Sequence, residues 1–365
     1  MTLYQALSKL KNMSKTVKKT KIITFGELML RLMPFGYERF IQTETYNAQF
    51  GGAEANVAVS LANFGMESVY VTKLPENPIG QAALNSLRRY GVNTDYIARG
   101  GERMGIYFLE KGASQRGSLC IYDRKNSSLS QSSADDYDWK EIFKDASWFH
   151  VTGITPALSA GCADIVLTAV KEAKKLGLTV SCDLNYRSKL WTTTKAKKVM
   201  TEIAVYTDVC IANEEDAQKV FGIKTSKTNV DAGIIDKDAY SKTAKDLAVT
   251  FGFKKVAITL RQSINASRNN WSALLYDGKE AVYSKQYSID IIERVGSGDA
   301  FAAALIYALI QKDQENELFR SNRDCIEFAS AAACLKHTVE GDYNMFSAEE
   351  ILALSLSNGT GRVVR

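Results

Sequence analysis

The chain has 365 residues, 45% of them hydrophobic and 24% charged, enough apolar material for a substantial core without disulfide or metal support. The net charge is +5, but Lys9, Lys11, Lys15, Lys18, Lys19 and Lys21 face no acid in residues 1–21, so the remainder stands at −1 and lacks the basic body of a nucleic-acid binder. No run approaches the roughly 18 consecutive apolar residues of a membrane span.

The six cysteines have no Cys-x-x-Cys spacing, and only His150 and His337 are available to join them. Zinc and redox chemistry are therefore disfavoured, and free thiols in a reducing cytoplasm are expected. Residues 1–21 read as a basic, disordered leader without the apolar centre of a secretory signal.

Ile22–Phe25 reads as the first strand and is followed by Gly26-Glu27. Short segments at Leu28–Met33 and around Phe40–Phe50 precede Gly51-Gly52-Ala53-Glu54-Ala55-Asn56, which leads into Val57, Leu61 and Phe64 at helical spacing. Gly65 closes that helix, Val69–Lys73 forms a strand, and Gly80–Tyr90 a helix ended by Gly91. Arg103–Glu110 and Ser118–Asp123, joined through Gly112–Gly117, break this α/β alternation and read as hairpin strands outside the main sheet.

The alternation resumes with strands at Ala146–Val151, Thr179–Asp183, Val209–Asn213 and Lys255–Leu260. Helices are expected at Ser159–Leu176, Thr192–Tyr206, Glu214–Phe221 and Asp236–Phe251, with Lys224–Asn229 as an inserted loop. Trp271–Tyr276 and Glu280–Tyr287 suggest an edge hairpin turned at Asp277-Gly278, and Ala300–Leu309 and Cys325–His337 late helices.

The strongest chemical signal is Gly296-Ser297-Gly298-Asp299 directly before an apolar helix. Two glycines around one small residue let consecutive N–H groups face an anion, and the helix dipole adds positive potential there. Asp299 would repel a phosphate, so it suits the role of proton acceptor for an attacking hydroxyl at the rim of that cradle. The string by itself fits equally well an acidic helix start flanked by turn glycines. A Walker loop, a dinucleotide fingerprint and a nucleophile elbow are all absent.

Gly51–Ala58 and Val295–Phe301 resemble the N- and C-terminal signatures of the ribokinase-type, or PfkB, sugar kinases, over about residues 22–347. The resemblance implies an α/β fold: a ribokinase-like three-layer α/β/α domain with a small β-sheet lid from about 28–47 and 100–125, then a C-terminal helix and tail at 348–365. It implies Asp299 as base and the amides of Gly296, Ser297 and Gly298 as anion hole, with ATP and Mg2+ required. Leu30-Arg31-Leu32, Arg103–Phe108, Tyr122-Asp123-Arg124 and Asp183–Arg187 further resemble the 2-keto-3-deoxygluconate kinase branch.

Many members carry an Asp five residues beyond the glycine that ends the first strand; here that position is Arg31, with no acid read as taking the role nearby. A sugar acid fits better than a neutral sugar, its carboxylate gripped by guanidinium. The expected substrate set is Gly51, Gly52, Asn56, Arg103, Tyr107, Tyr122, Arg124, Arg187, Asp299 and Asp342. Asn185, Asn213, Thr259, Arg261, Ser263, Gly296, Gly298 and His337 are expected to face the nucleotide. Asn213, Glu214 and Asp216 stand where the family organises magnesium through Asn-x-x-Glu, with Asp in the fourth place. The expected partners are a small sugar acid, ATP and a second copy joined through the lid.

Overall fold

Consecutive residues of the first strand serve different cores. In β1 (Lys21–Phe25), Ile22 packs in one apolar cluster and Ile23 in another, because successive side chains of a strand point to opposite faces. A strand apolar on both faces belongs inside a sheet covered on both sides. The computed structural model shows this arrangement and describes residues 20–213, 215–223 and 236–357.

The small sheet contributes β2 (Met29–Met33) and β3 (Asn47–Gly51), and the main sheet continues with β4 (Glu67–Leu74) and β5 (Ile97–Arg99). Then come β6 (Ile106–Glu110) and β7 (Leu119–Asp123) of the small sheet. The parallel body is completed by β8 (Ala146–Thr152), β9 (Thr179–Asp183), β10 (Val209–Ala212) and β11 (Lys255–Asn265). An antiparallel margin follows in β12 (Arg268–Tyr276), β13 (Ala281–Tyr283) and β14 (Tyr287–Asp290). The helices are α1 (Ala53–Asn63), α2 (Pro78–Arg88), α3 (Trp139–Ile142), α4 (Ala160–Lys175) and α5 (Thr193–Ala204), then α6 (Lys237–Phe251), α7 (Ser297–Asp313), α8 (Asn322–Lys336) and α9 (Ala348–Ser355).

The ten-stranded sheet runs β13-β12-β11-β10-β9-β8-β1-β4-β5, with β14 also paired to β12. From β5 to β11 all pairings are parallel, and those of β12 are antiparallel. Helices α4, α5 and α6 cover one face; α1, α7 and α8 cover the other. Helix α7 is apolar all round, Ala300–Ile310 being buried throughout, as suits a helix enclosed between the sheet and its neighbours. Helices α8 and α9 begin at reciprocal Ser-Asp and Ser-Glu capping boxes.

The second sheet has the order β3-β2-β6-β7. Its strands are shorter than their apolar patterns suggested: 103–105 and 40–46 remain irregular. Residues 261–267 extend beyond the expected end of the strand at Leu260. They continue β11 and turn into β12 at 265–268, where the Asn265 side chain accepts the Ser267 amide. That tip touches the small sheet's 112–117 turn, Ala266 donating to the Ser114 carbonyl and Ser114 to Ser267 Oγ. Glu280–Tyr287 divides into β13 and β14, both paired with β12. Lys21 belongs to β1 rather than to the leader; residues 1–19, Glu214, the 224–229 loop and the tail beyond 357 lie outside the described residues.

Arg31 joins the small sheet to the main domain. Its guanidinium, 1% exposed, pairs with Glu293 and Asp342 at 2.5 Å each. Burial alone would lower its pKa, but Asp342 and Glu293 more than offset this. Replacing Arg31 with Met strands two buried carboxylates, so urea unfolding should show a loss of about 3–5 kcal/mol. A loss below about 1 kcal/mol would show that the pair is not structural.

Candidate active site

Strand order reverses beside β1, because β4 extends the sheet on one side and β8 on the other. In open α/β sheets a crevice forms at the carboxyl ends of the strands at such a point. Here it is a cleft of about 440 Å3, lined from below by residues just past β1, at and beyond the ends of β9 and β10 and along β11, and from above by β6 and β7 of the small sheet.

The floor of the cleft is the start of α7. Gly296 has φ 83°, and a Cβ there would overlap the Asp342 carbonyl, so only glycine allows this turn. Nothing lies within 4 Å of the Cβ position of Gly298, which opens on the cleft. The Ser297 amide reaches back to the Arg294 carbonyl at 3.5 Å, so it is not free for the anion hole expected of it, and the next amide of the helix that bonds back is that of Ala300, to Gly296. The amides of Gly298 and Asp299, at the positive end of a 17-residue helix, are left to face a ligand.

Asp299 shares this floor. It takes a 2.6 Å hydrogen bond from Asn56 Nδ2 and makes none to its own helix among the described residues. Burial pushes its carboxyl up to about 7; the Asn56 bond opposes that rise, and Asp342 and Glu54 add to it. Asn56 is set in turn by the first turn of α1. There the buried Glu54 Oε1 accepts from the amide and hydroxyl of Thr152 and the hydroxyl of Thr155, and packs where a Gly26 Cβ would stand.

On the small-sheet side Tyr107 donates to Asp342 and stacks on Tyr122 at 5.9 Å. Arg124 lies over the Tyr122 ring and pairs with Glu27. Arg187, exposed and lining the cleft, donates to the Tyr186 carbonyl and pairs with no carboxylate among the described residues. At the other end Arg261 and Arg294 face the same space, and burial with the nearby Arg261 charge lowers the Arg294 pKa. The buried Asp183 is driven upward by burial and by Asp216 and Asp299.

The cleft brings together Gly52, Asn56, Tyr107, Tyr122, Arg124 and Arg187 with Asp299 and Asp342. Asn185, Asn213, Asp216, Thr259 and Arg261 line it too, as do Gly296, Ser297 and Gly298. Four expected residues do not line it. Gly51 packs beneath, where a Cβ would overlap the Asp342 carboxylate. Arg103 pairs with Asp123 at 2.8 Å on the outside. Ser263 is exposed on the β11–β12 hairpin. His337 is buried against Trp271, bonded to the Ala333 carbonyl and lowered to about 4 by burial.

One acid near the end of the first strand was not among the expected site residues: Glu27, 4% exposed, lines the cleft, where it is held by Arg124 and Ser127. Its signal was the Gly26-Glu27 step past the first strand. Arg294 and Trp271 were missed as well, since an Arg two residues before a glycine turn and a Trp inside a strand have no distinctive pattern.

Among the described residues no group of three or more His, Cys, Asp or Glu is placed to hold a metal. Asn213 Oδ1 is taken by the amides of Glu215 and Asp216, and both Asp216 oxygens accept amides, of Tyr186 and Asn213; Glu214 lies outside the described residues. Magnesium is commonly held by one or two carboxylates, water and substrate phosphates, and the cleft-facing Asp183 and Asp216 suit that donor set.

Residues 19–349 match the profile of the pfkB family carbohydrate kinases. The chain belongs to the pfkB family. It is 30% identical over 331 residues to a 2-dehydro-3-deoxygalactonokinase of Haloferax volcanii, covering 91% of this chain and 95% of that one. The crystal structure of a 2-dehydro-3-deoxygluconokinase from Thermotoga maritima is 47% identical, covers 93% and 99% of the two chains, and superposes with a TM-score of 0.87. A putative ribokinase II from E. coli, solved with ATP and Mg2+, shares the fold at 21% identity and a TM-score of 0.73, covering 91% and 97%. The ribokinase-like α/β architecture is thus that of this carbohydrate kinase, and no helix among its described residues is long and apolar enough to cross a membrane.

The sequence pattern implied Asp299 as the base; a base there has to be ionised, so under that role kcat/KM should rise with pH through about 7. Asn56→Ala removes a bond that favours the carboxylate and should move this acidic limb upward by about one pH unit. A limb that stays in place would show that Asn56 does not tune Asp299.

Proposed function

We propose that this pfkB-family kinase transfers the γ-phosphoryl group of ATP to the terminal 6-hydroxyl of 2-dehydro-3-deoxy-D-gluconate. The carrying observation is the Asp299 carboxylate, held by Asn56 and opening on the cleft beside the free amides of the α7 start. The acceptor oxygen attacks phosphorus as its proton passes to Asp299. The phosphorus–oxygen bond to ADP breaks, and its electron pair leaves on the β-phosphate oxygen. The Gly298 and Asp299 amides, with Arg261 and Arg294, offset the charge on the transferred group. Magnesium, when bound, neutralises phosphate charge; Asp183 and Asp216 are the residues that would hold it, through water.

The acid end of the substrate is assigned to the small-sheet side. Arg124 is already paired with Glu27, whereas Arg187 makes no ion pair among the described residues and only faces Asp183, Asp216 and Asp299 at longer range. Arg187 is therefore the guanidinium assigned to the substrate carboxylate, while Tyr107 and Tyr122 give an apolar wall with hydroxyl tips. The Thermotoga relative at 47% identity favours the gluconate epimer over the galactonate named for the Haloferax relative at 30%. The small sheet would close as a lid over the reacting groups and exclude water. Exposed Leu119 and Ile121 on β7 suit pairing with a second copy.

An ATP-coupled screen of both ketodeoxy sugar acids beside fructose and ribose tests the acceptor. Arg187→Gln should lower kcat/KM for the acid by roughly 100-fold and for a neutral sugar by less than about threefold. Equal losses on both, or preferred turnover of a neutral sugar, would overturn the assignment.

A further inference from the structure

Behind the amide cradle lies a lysine that its surroundings do not explain. Lys336, the last residue of α8, is 0% exposed. Its Cε comes within 3.2 Å of where a Gly296 Cβ would stand, so the side chain runs directly beneath the turn that opens α7. An ammonium has three donors. The one hydrogen bond it makes among the described residues is a long 3.4 Å contact to the Val339 carbonyl.

The charges that face Lys336 come from four elements: Glu293 after β14, Asp342 after α8, Arg31 on β2 and Asp299 on α7. Both nearby structural carboxylates are already engaged. Glu293 accepts from Arg31 and from the Arg294 and Val295 amides, and Asp342 accepts from Arg31 and Tyr107. Lys336 therefore adds a second buried cation beside Arg31, next to the positive end of α7. The C-terminal end of its own helix offsets only part of that cost. A buried charge without close partners is expensive. Its position is favourable once an anion occupies the amides on the other side of Gly296.

We propose that the Lys336 ammonium is the fixed counter-charge of the cradle, acting through the Gly296 turn to offset the negative charge that gathers on the phosphoryl group in transfer. It does not line the cleft, so it is a positioning residue and not a catalytic one. The inference rests on phosphoryl transfer at this cleft and not on which acceptor is used.

The test compares wild type with Lys336→Met, using whichever acceptor wild type turns over. The variant should lose roughly 30-fold in kcat while KM for ATP and acceptor stays within about threefold, since the charge matters most when the phosphoryl group is in flight. Burial lowers the Lys336 pKa to about 8, so wild-type kcat should fall as pH rises through that value, and the variant should lack this alkaline limb. A kcat within about threefold of wild type, or an alkaline limb that survives in the variant, overturns the proposal. If the variant does not fold, the wild-type profile decides: a rate flat through the alkaline range shows that the charge is not used. Turnover of a neutral sugar in place of the acid removes the acceptor assignment and leaves this test intact.

Discussion

The Asn56–Asp299 hydrogen bond joins residues 243 positions apart and sets the rest of the site. It exists because α1 and α7 pack together on one face of the sheet, and both begin at its cleft end. Glu54 fixes the first turn of α1 against the end of β8, and Gly296 starts α7 at an angle no other residue would accept. The polar atoms at the two helix starts therefore meet within hydrogen-bond distance with little freedom left, the preorganisation that electrostatic catalysis needs.

Asp342 closes the same construction from the other side. Its carbonyl abuts Gly296, its carboxylate abuts Gly51, and it is bonded by Arg31 and Tyr107. One loop residue thus ties β2, β3 and β6 of the small sheet to the anion cradle. The interior around it is rich in charge, and part of it is paired: Arg31 with Glu293 and Asp342, Arg124 with Glu27. Among the described residues Glu54, Asp183 and Asp216 are buried without an ion pair, and Asp299 and Lys336 make none either. The last two stand on opposite sides of the Gly296 turn, where phosphoryl transfer calls for a base in front and positive potential behind.

The fold was legible because its periodicities are strong. The doubly buried strand at Ile22–Phe25 and the apolar helix after Asp299 could be read from residue order alone, and the two glycine signatures located both sides of the cradle. The outlines of β6, β7 and the 261–268 hairpin were not, because half-exposed antiparallel strands carry a weak apolar alternation and end where tertiary contacts end them. Arg103 and Arg124 look alike in sequence, yet Asp123 holds one outside and Glu27 draws the other in. Both lie just outside the strands, Arg103 in the irregular stretch before β6 and Arg124 immediately after β7, so their partners are set by tertiary placement that local sequence does not show. Lys336 carried no signal, since a lysine in the last turn of a helix is ordinarily a solvated end charge.

The most direct test of the account is phosphoryl transfer by Asp299→Asn, followed by rapid quench with ATP affinity measured on the same preparation. The amide keeps the shape and an acceptor oxygen for Asn56 but cannot take the acceptor's proton. The account predicts a transfer rate lower by roughly a thousandfold or more, with ATP affinity within about threefold of wild type. Transfer within about tenfold of wild type would contradict it, and would place the proton acceptor on another residue of the cleft.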